Sequence, residues 1–152
     1  MPPETPQETP QETPKITVEE FNRIIETELE WADQIGMHAR SIGVGEAVLG
    51  LRYEASMLRP GGTVAGPFMM ALADAAMYAV VLSILGVVKM AVTTSFNVNF
   101  LHRPHPADLL AEGKLLKIGK RLAVVDVTIH SEGHDEPVAH ATGTYSIPPR
   151  ED

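Results

Sequence analysis

The spacing of apolar and polar residues changes several times along the chain, and each change marks an element. Val18, Phe21, Ile24, Ile25 and Leu29 recur at helical spacing. Thr17 with Glu20 three residues on offers a capping box, so a helix is expected from Thr17 to about Glu30, with the Gly36 region ending any continuation. Residues 39 to 55, "ARSIGVGEAVLGLRYEA", read as a strand whose glycines suggest bends or bulges. "RPGG" at 59 to 62 reads as a turn. Residues 66 to 86, "GPFMMALADAAMYAVVLSILG", are almost entirely apolar, with Asp74 the one charged residue among them. Gly66 suits a helix N-cap, Pro67 the first helical position and Gly86 the stop, which predicts one long core helix.

From residue 92 the period becomes two. Val92, Thr94, Phe96, Val98 and Phe100 fall on one face and Thr93, Ser95, Asn97 and Asn99 on the other, the pattern of a half-buried strand. Two more strands are expected over 108 to 118 and 121 to 131, joined at "IGKR", and a last one over "PVAHATGTYSI" after the turn "SEGHDEP". Helix, strand, long helix and then four strands with short connections predict an α+β domain in which an antiparallel sheet covers one apolar helix. That single domain spans residues 16 to 150. Ahead of it, residues 1 to 15 carry a period-four repeat of Pro, Glu and Thr that cannot bury apolar surface, and a disordered tail is expected there.

Composition narrows the chemistry. A chain of 152 residues suits one domain. It has no cysteine, which excludes disulfides, thiolate zinc sites and a cysteine nucleophile. The formal net charge is −8, and residues 16 to 150 hold 11 basic and 15 acidic residues, which argues against a general nucleic-acid binder. No basic stretch followed by an apolar core opens the chain, so no signal peptide is read and a cytoplasmic protein is expected. The long apolar helix is the right length for a bilayer, but its central aspartate and the strands that follow favour a core helix over a membrane span. The six histidines form no helical i, i+4 pair, so no metal site is expected. Neither a Gly-x-Ser-x-Gly elbow nor a glycine-rich dinucleotide loop occurs.

"GTVAGPFMMALADAAM" followed by "AVTTSFNVNFL" resembles the hotdog-fold thioesterases, and within them the PaaI-like (phenylacetate-degradation type) acyl-CoA thioesterase group. In that group a glycine at the helix start is followed eight residues later by aspartate, here Gly66 and Asp74. "GKRLAVVDVTI" and "VAHATGTYSI" are similar to the family's last strands, so the likeness covers about residues 39 to 147. It implies a hotdog fold, a sheet wrapped around one central helix. It also implies hydrolysis of an acyl- or aryl-CoA thioester at the interface of a homodimer, with a homotetramer left open. No cofactor is implied beyond CoA as part of the substrate. Two departures stand out: Ala65 and Pro67 flank Gly66 where relatives commonly read His-Gly-Gly, and Arg59 stands where many have asparagine.

Thioester hydrolysis needs a donor for the developing oxyanion and a base or nucleophile beside the carbonyl carbon. The start of the long helix supplies free N–H groups, and Gly66 lets a substrate approach them. Pro67 has no N–H, which leaves Gly66 and Phe68 as donors. A carboxylate in apolar surroundings is a stronger base than one in water, which makes Asp74 the natural base, shielded from bulk water but facing a substrate channel. Eight helical residues span about 12 Å. Gly66 and Asp74 of one chain are therefore too far apart to act on the same carbonyl, and two chains are needed.

From the resemblance, Thr93 lies where relatives carry a Ser or Thr that assists the acid. Arg59 is a candidate for a phosphate or acyl carboxylate, and Lys120 and Arg121, with Lys114 and Lys117 nearby, for the phosphates of CoA. Each of these also reads as an ordinary strand or solvated turn residue. The alternatives are a non-catalytic acyl-CoA-binding module, which the missing His and Asn favour, and a hotdog-fold hydratase or dehydratase, which Ala65 disfavours.

Overall fold

The structure, a computed structural model, describes residues 12–149. The first eleven residues of the predicted tail therefore lie outside the described residues. At Lys15 the backbone N–H already donates to Ser83 O (2.8 Å), pinning the chain as it enters the fold.

Helix α1 (Val18–Glu28) begins as its capping box dictates. Thr17 Oγ1 accepts from the Glu20 N–H (3.1 Å), and Glu20 Oε1 accepts from the Thr17 N–H (3.3 Å). Phe21 and Ile25 are its buried contacts, one turn apart on one face. The helix stops short of Glu30 because Leu29 leaves helical geometry (φ −134°, ψ 58°), and a separate short helix α2 (Glu30–Gln34) follows at a new angle.

Residues 39 to 55 hold two strands where one was expected. β1 (Met37–Gly43) and β2 (Glu46–Leu51) form an antiparallel hairpin turned at Val44 and Gly45, and Gly45 has φ +72°. What read as a bend inside one strand is a chain reversal, which a positive φ makes possible in so few residues. After a single 3₁₀ turn, helix α3 (Gly66–Leu85) runs 20 residues, with Ala65 rather than Gly66 as its N-cap. Then come β3 (Val92–Phe100), β4 (Leu109–Ile118), β5 (Leu122–Ser131) and β6 (Pro137–Ser146).

The six strands form one antiparallel sheet in the order β1-β2-β4-β5-β6-β3. It curves around α3, as a hotdog fold requires. Leu72, Met77, Val80 and Leu82 of the helix are fully buried, and so are Ala123, Val125, Val127 and Ile129 of β5. Each Leu, Val or Met removed from water in this way contributes roughly 1.5–3 kcal/mol. α3 has the length and mean hydropathy (2.0) of a membrane span, yet ten of its residues are buried within the fold. Close wrapping needs absent side chains: a Cβ at Gly143 would collide with Met77 Sδ, and one at Gly113 would lie 2.9 Å from Val80 Cγ2. Ser83, buried in the last turn of α3, bonds Val80 O (2.6 Å) and the Gly45 N–H (2.9 Å), which ties the hairpin to the helix end.

The two sheet edges differ. At β1 the Asn22 side chain of α1 bonds both Ala39 N–H (2.7 Å) and Ala39 O (3.2 Å), beside a register shift between Ala39 and Ser41. That occupies the edge with a helix and a bulge. β3 pairs with β6 alone, and its other edge meets no strand among the described residues.

Candidate active site

Asp74 lies in the third turn of α3, half-buried rather than sealed from water in the single chain. Its Oδ1 accepts two hydroxyl bonds, from Thr93 Oγ1 (2.6 Å) and Tyr145 OH (2.9 Å). The same Tyr145 hydroxyl lies 3.0 Å from the Asp74 carbonyl oxygen. Oδ2 has no hydrogen-bond partner among the described residues. One oxygen is thus held and the other is not.

Strict alternation puts Thr93 on the face away from Phe96, where it could not meet the helix. The structure corrects this with a bulge. Thr93 pairs with Tyr145 and Ser95 with Thr144, so Thr94 is the extra residue and bonds Thr144 O through its own hydroxyl (3.2 Å). An inserted residue reverses the facing of everything on one side of it. Thr93 therefore shares the half-buried face of Phe96 and Val98 and meets Asp74.

Tyr145 was not foreseen. It is 3% exposed, and burial first, then the Asp74 charge beside it, push its hydroxyl above the usual tyrosine value. It is a donor, never an anion, at working pH. Its ring stacks on Tyr78 (centroids 6.1 Å, 15°), which sits one turn beyond Asp74 on α3 and packs in turn on Phe21 of α1 (6.0 Å). Tyr145 falls on the inward face of β6, but only the pairing of β6 with β3 reveals what it meets, and no local pattern carries that pairing.

Gly66 opens α3, and its N–H has no acceptor among the described residues. The Phe68 N–H, the other donor expected, is taken by Ala65 O (3.1 Å), so Gly66 is the free one of the pair. A Cβ at Gly66 would lie 3.2 Å from the Phe100 ring, which places the helix start beside the far end of β3. Asp74 sits beside Thr93, near the other end of that strand. Arg59 is exposed in the loop before α3, its N–H bonded to Thr63 O (2.9 Å) and its carbonyl to the Gly62 N–H (3.0 Å). Lys120 and Arg121 are exposed at the β4–β5 turn, lining a cavity of about 540 Å³ with Leu85, Ile147 and Pro149. Within one chain this is apart from Asp74, since Leu85 is about 16 Å further along the helix.

Two hollows meet at Asp74. A cavity of about 520 Å³ is lined by Asp74, Thr93 and Tyr145 together with residues of α1, α2 and α3. A shallower groove of about 270 Å³, lined by Met70, Ala71, Phe96, Asp74 and Thr93, lies on the β3 side. The arrangement presents a fixed carboxylate oxygen at the junction of two spaces, which suits attack on, or activation of water against, a group reaching through both.

The family model of the thioesterase superfamily matches residues 61–138. A Saccharolobus solfataricus protein named as an esterase is 30% identical over 133 residues, covering 87% of this chain and 86% of the relative. Among solved structures, one from Silicibacter sp. TM1040 described as a thioesterase is 40% identical, covers 90% of this chain and 94% of its own, and superposes with a TM-score of 0.81. A point mutant of the phenylacetic acid degradation protein PaaI from Thermus thermophilus is 28% identical, covering 78% of this chain and 99% of that one, with a TM-score of 0.70. With its antiparallel sheet around one central helix, the chain belongs to the thioesterase superfamily, as a hotdog-fold member of the PaaI-like group.

Proposed function

We propose that the protein hydrolyses acyl-CoA thioesters as a homodimer, with Asp74 of one chain and the Gly66 N–H of its partner acting on one carbonyl. The observation that carries this reading is the Asp74 cluster: Oδ1 held by Thr93 and Tyr145, Oδ2 unengaged among the described residues. A carboxylate with both oxygens satisfied would be structural. This one is half satisfied and lines two hollows.

In the reaction, Asp74 takes a proton from water as the oxygen attacks the carbonyl carbon, or attacks that carbon itself to give an anhydride that water then opens. Either way the C–S bond breaks, the acid is released, and the CoA sulfur leaves as thiolate and gains a proton. The oxyanion formed on the way meets the Gly66 N–H and the positive end of α3.

Two chains are needed because Gly66 and Asp74 stand about 12 Å apart along one helix. The open β3 edge offers the means. An unpaired strand edge flanked by exposed apolar side chains, here Met70, Val92, Phe100 and Leu101, is a template for pairing with a second copy. A two-fold axis at Asn97 would pair β3 antiparallel with itself and, with Thr94 bulged out, set Thr93 across from the partner's Phe100. Asp74, beside Thr93, then approaches Gly66 of the other chain.

The test is thiol release from a panel of acyl- and aryl-CoA esters, wild type against Asp74→Ala, with folding and dimerisation confirmed for both. At least a hundredfold loss is expected, the scale of a general base. The second reading, an acyl-CoA-binding module without turnover, draws on Ala65 standing where relatives place histidine. CoA esters that bind wild type without any thiol release would establish it instead.

A further inference from the structure

The larger cavity at Asp74 runs between the α1–α2 pair and α3. Its walls are Ile24, Leu29 and Ala32 from the N-terminal segment, Met37 from β1, and Ala71 and Ala75 from α3. Ala71 and Ala75 flank Asp74 at three residues before and one after, and their small side chains leave room beside the carboxylate. The polar groups away from the Asp74 cluster are half-buried or exposed. They are the Tyr78 phenol, the Trp31 indole, and the Glu28–Lys89 ion pair (2.9 Å), which joins α1 to the loop after α3. The opposite hollow, on the β3 side, is half the volume and borders the open edge.

Resting on the thioester reading above, we propose that this cavity houses the acyl group. The chain that supplies Asp74 would then also supply the acyl pocket, while the CoA arm approaches through the β3-side groove. The occupant is a bulky, uncharged apolar acyl group. An acetyl group would leave most of about 520 Å³ unfilled, and the inner walls offer no partner for a charge. Acyl size is then set jointly by α1, α2 and the small residues of α3. Helices α1 and α2 lie before residue 61, where the family match begins, so membership of the superfamily does not by itself fix the substrate.

The experiment uses non-hydrolysable S-alkyl-CoA thioethers of increasing chain length, with free CoA as reference. Binding is measured by calorimetry and by the fluorescence of Trp31, the chain's one tryptophan and a residue lining this cavity. Each added methylene is expected to tighten binding about fourfold until the cavity is full. Thioethers, unlike free CoA, should change the Trp31 emission. Ala75→Leu, which fills the cavity from α3, should shift the preference at least tenfold towards short chains, in thioether affinity and in kcat/KM alike. Ile24→Ala, on α1, should shift it towards long ones, and decides alone if Ala75→Leu does not fold.

A length profile identical in wild type and the folded variants overturns the assignment. The thioesters and thioethers separate the two readings. Hydrolysis with an unchanged profile removes the acyl pocket and keeps the hydrolase. Length-dependent thioether binding without turnover removes the hydrolase and keeps the pocket.

Discussion

Asp74 is held by two hydroxyls that come from strands far apart in sequence, and the consequence for catalysis is direct. Thr93 and Tyr145 fix Oδ1, so the direction of Oδ2 depends on both. Thr93→Ala and Tyr145→Phe should each lower kcat by about 10- to 100-fold, with KM less affected, because a misplaced carboxylate costs more in the transition state than in binding. Steady-state kinetics with folding confirmed by circular dichroism checks this; unchanged kcat in both would show that Oδ1 needs no positioning. Tyr145 also leaves a mark on stability. Its native hydroxyl stays protonated well above its ordinary value of 10.0. Below about pH 10 the folded and unfolded chains both hold that proton and the contribution is complete. Above it the unfolded chain releases the proton and the native one does not, so stability falls as pH rises, by up to about 1.4 kcal/mol per pH unit. Urea unfolding between pH 9 and 11.5 should show a shallower decline for Tyr145→Phe than for wild type, and equal slopes would contradict the assignment. Asp74 was legible in the sequence because a charge in an apolar run is conspicuous. Tyr145 was not, since an inward tyrosine on a strand looks like any core residue until its neighbours are known.

The elements explain both what the sequence revealed and what it hid. α3 announced itself by being apolar on every side, and the sheet accounts for that by enclosing it. The enclosure depends on Gly143 and Gly113, where the strands pass close to Met77 and Val80. Gly143→Ala should therefore cost about 1–3 kcal/mol through overpacking, read as a lower urea midpoint with unchanged slope. A midpoint equal to wild type would mean that Met77 can move aside freely. Strand periodicity was legible over β5, whose inward residues alternate strictly, and over residues 109–115 of β4 and 139–145 of β6, although β4 slips register between Leu115 and Lys117 and Val138 and Ala139 of β6 are both buried. It misled at β3, because a bulge at Thr94 cannot be told from continuous alternation when the residues on either side are threonine and serine. It also merged β1 and β2, whose glycines fit a bend as well as a hairpin turn. The break at Leu29 was hidden too: Leu29 keeps helical spacing with Ile25 and carries no residue that stops a helix by type. That break matters, for it turns α2 so that Trp31 and Ala32 reach the cavity at Asp74.

At the scale of the whole molecule, the two groups proposed to act on one carbonyl are held apart within the single chain. Its carboxylate and its free helix-start N–H lie at opposite ends of β3. One sheet edge is occupied by Asn22 of α1, and the other meets no strand among the described residues and is bordered by exposed apolar residues. Pairing that edge with a second copy would complete two equivalent sites at once. The measurement that tests this most directly is complementation between two inactive variants. Asp74→Ala removes the carboxylate. Gly66→Val blocks approach to the N–H at a position without positive φ, where the nearest obstacle to a side chain is the exposed Phe100 ring. Each purified alone should release almost no thiol from an acyl-CoA ester that wild type hydrolyses. When the two are mixed, dissociated and reassembled, half the dimers carry one chain of each kind. Such a dimer holds one site with both lesions and one with neither, so activity should return to about a quarter of wild type. A mixture that stays as inactive as its parents, although heterodimers have formed, would mean that Asp74 and Gly66 do not serve one carbonyl from two chains.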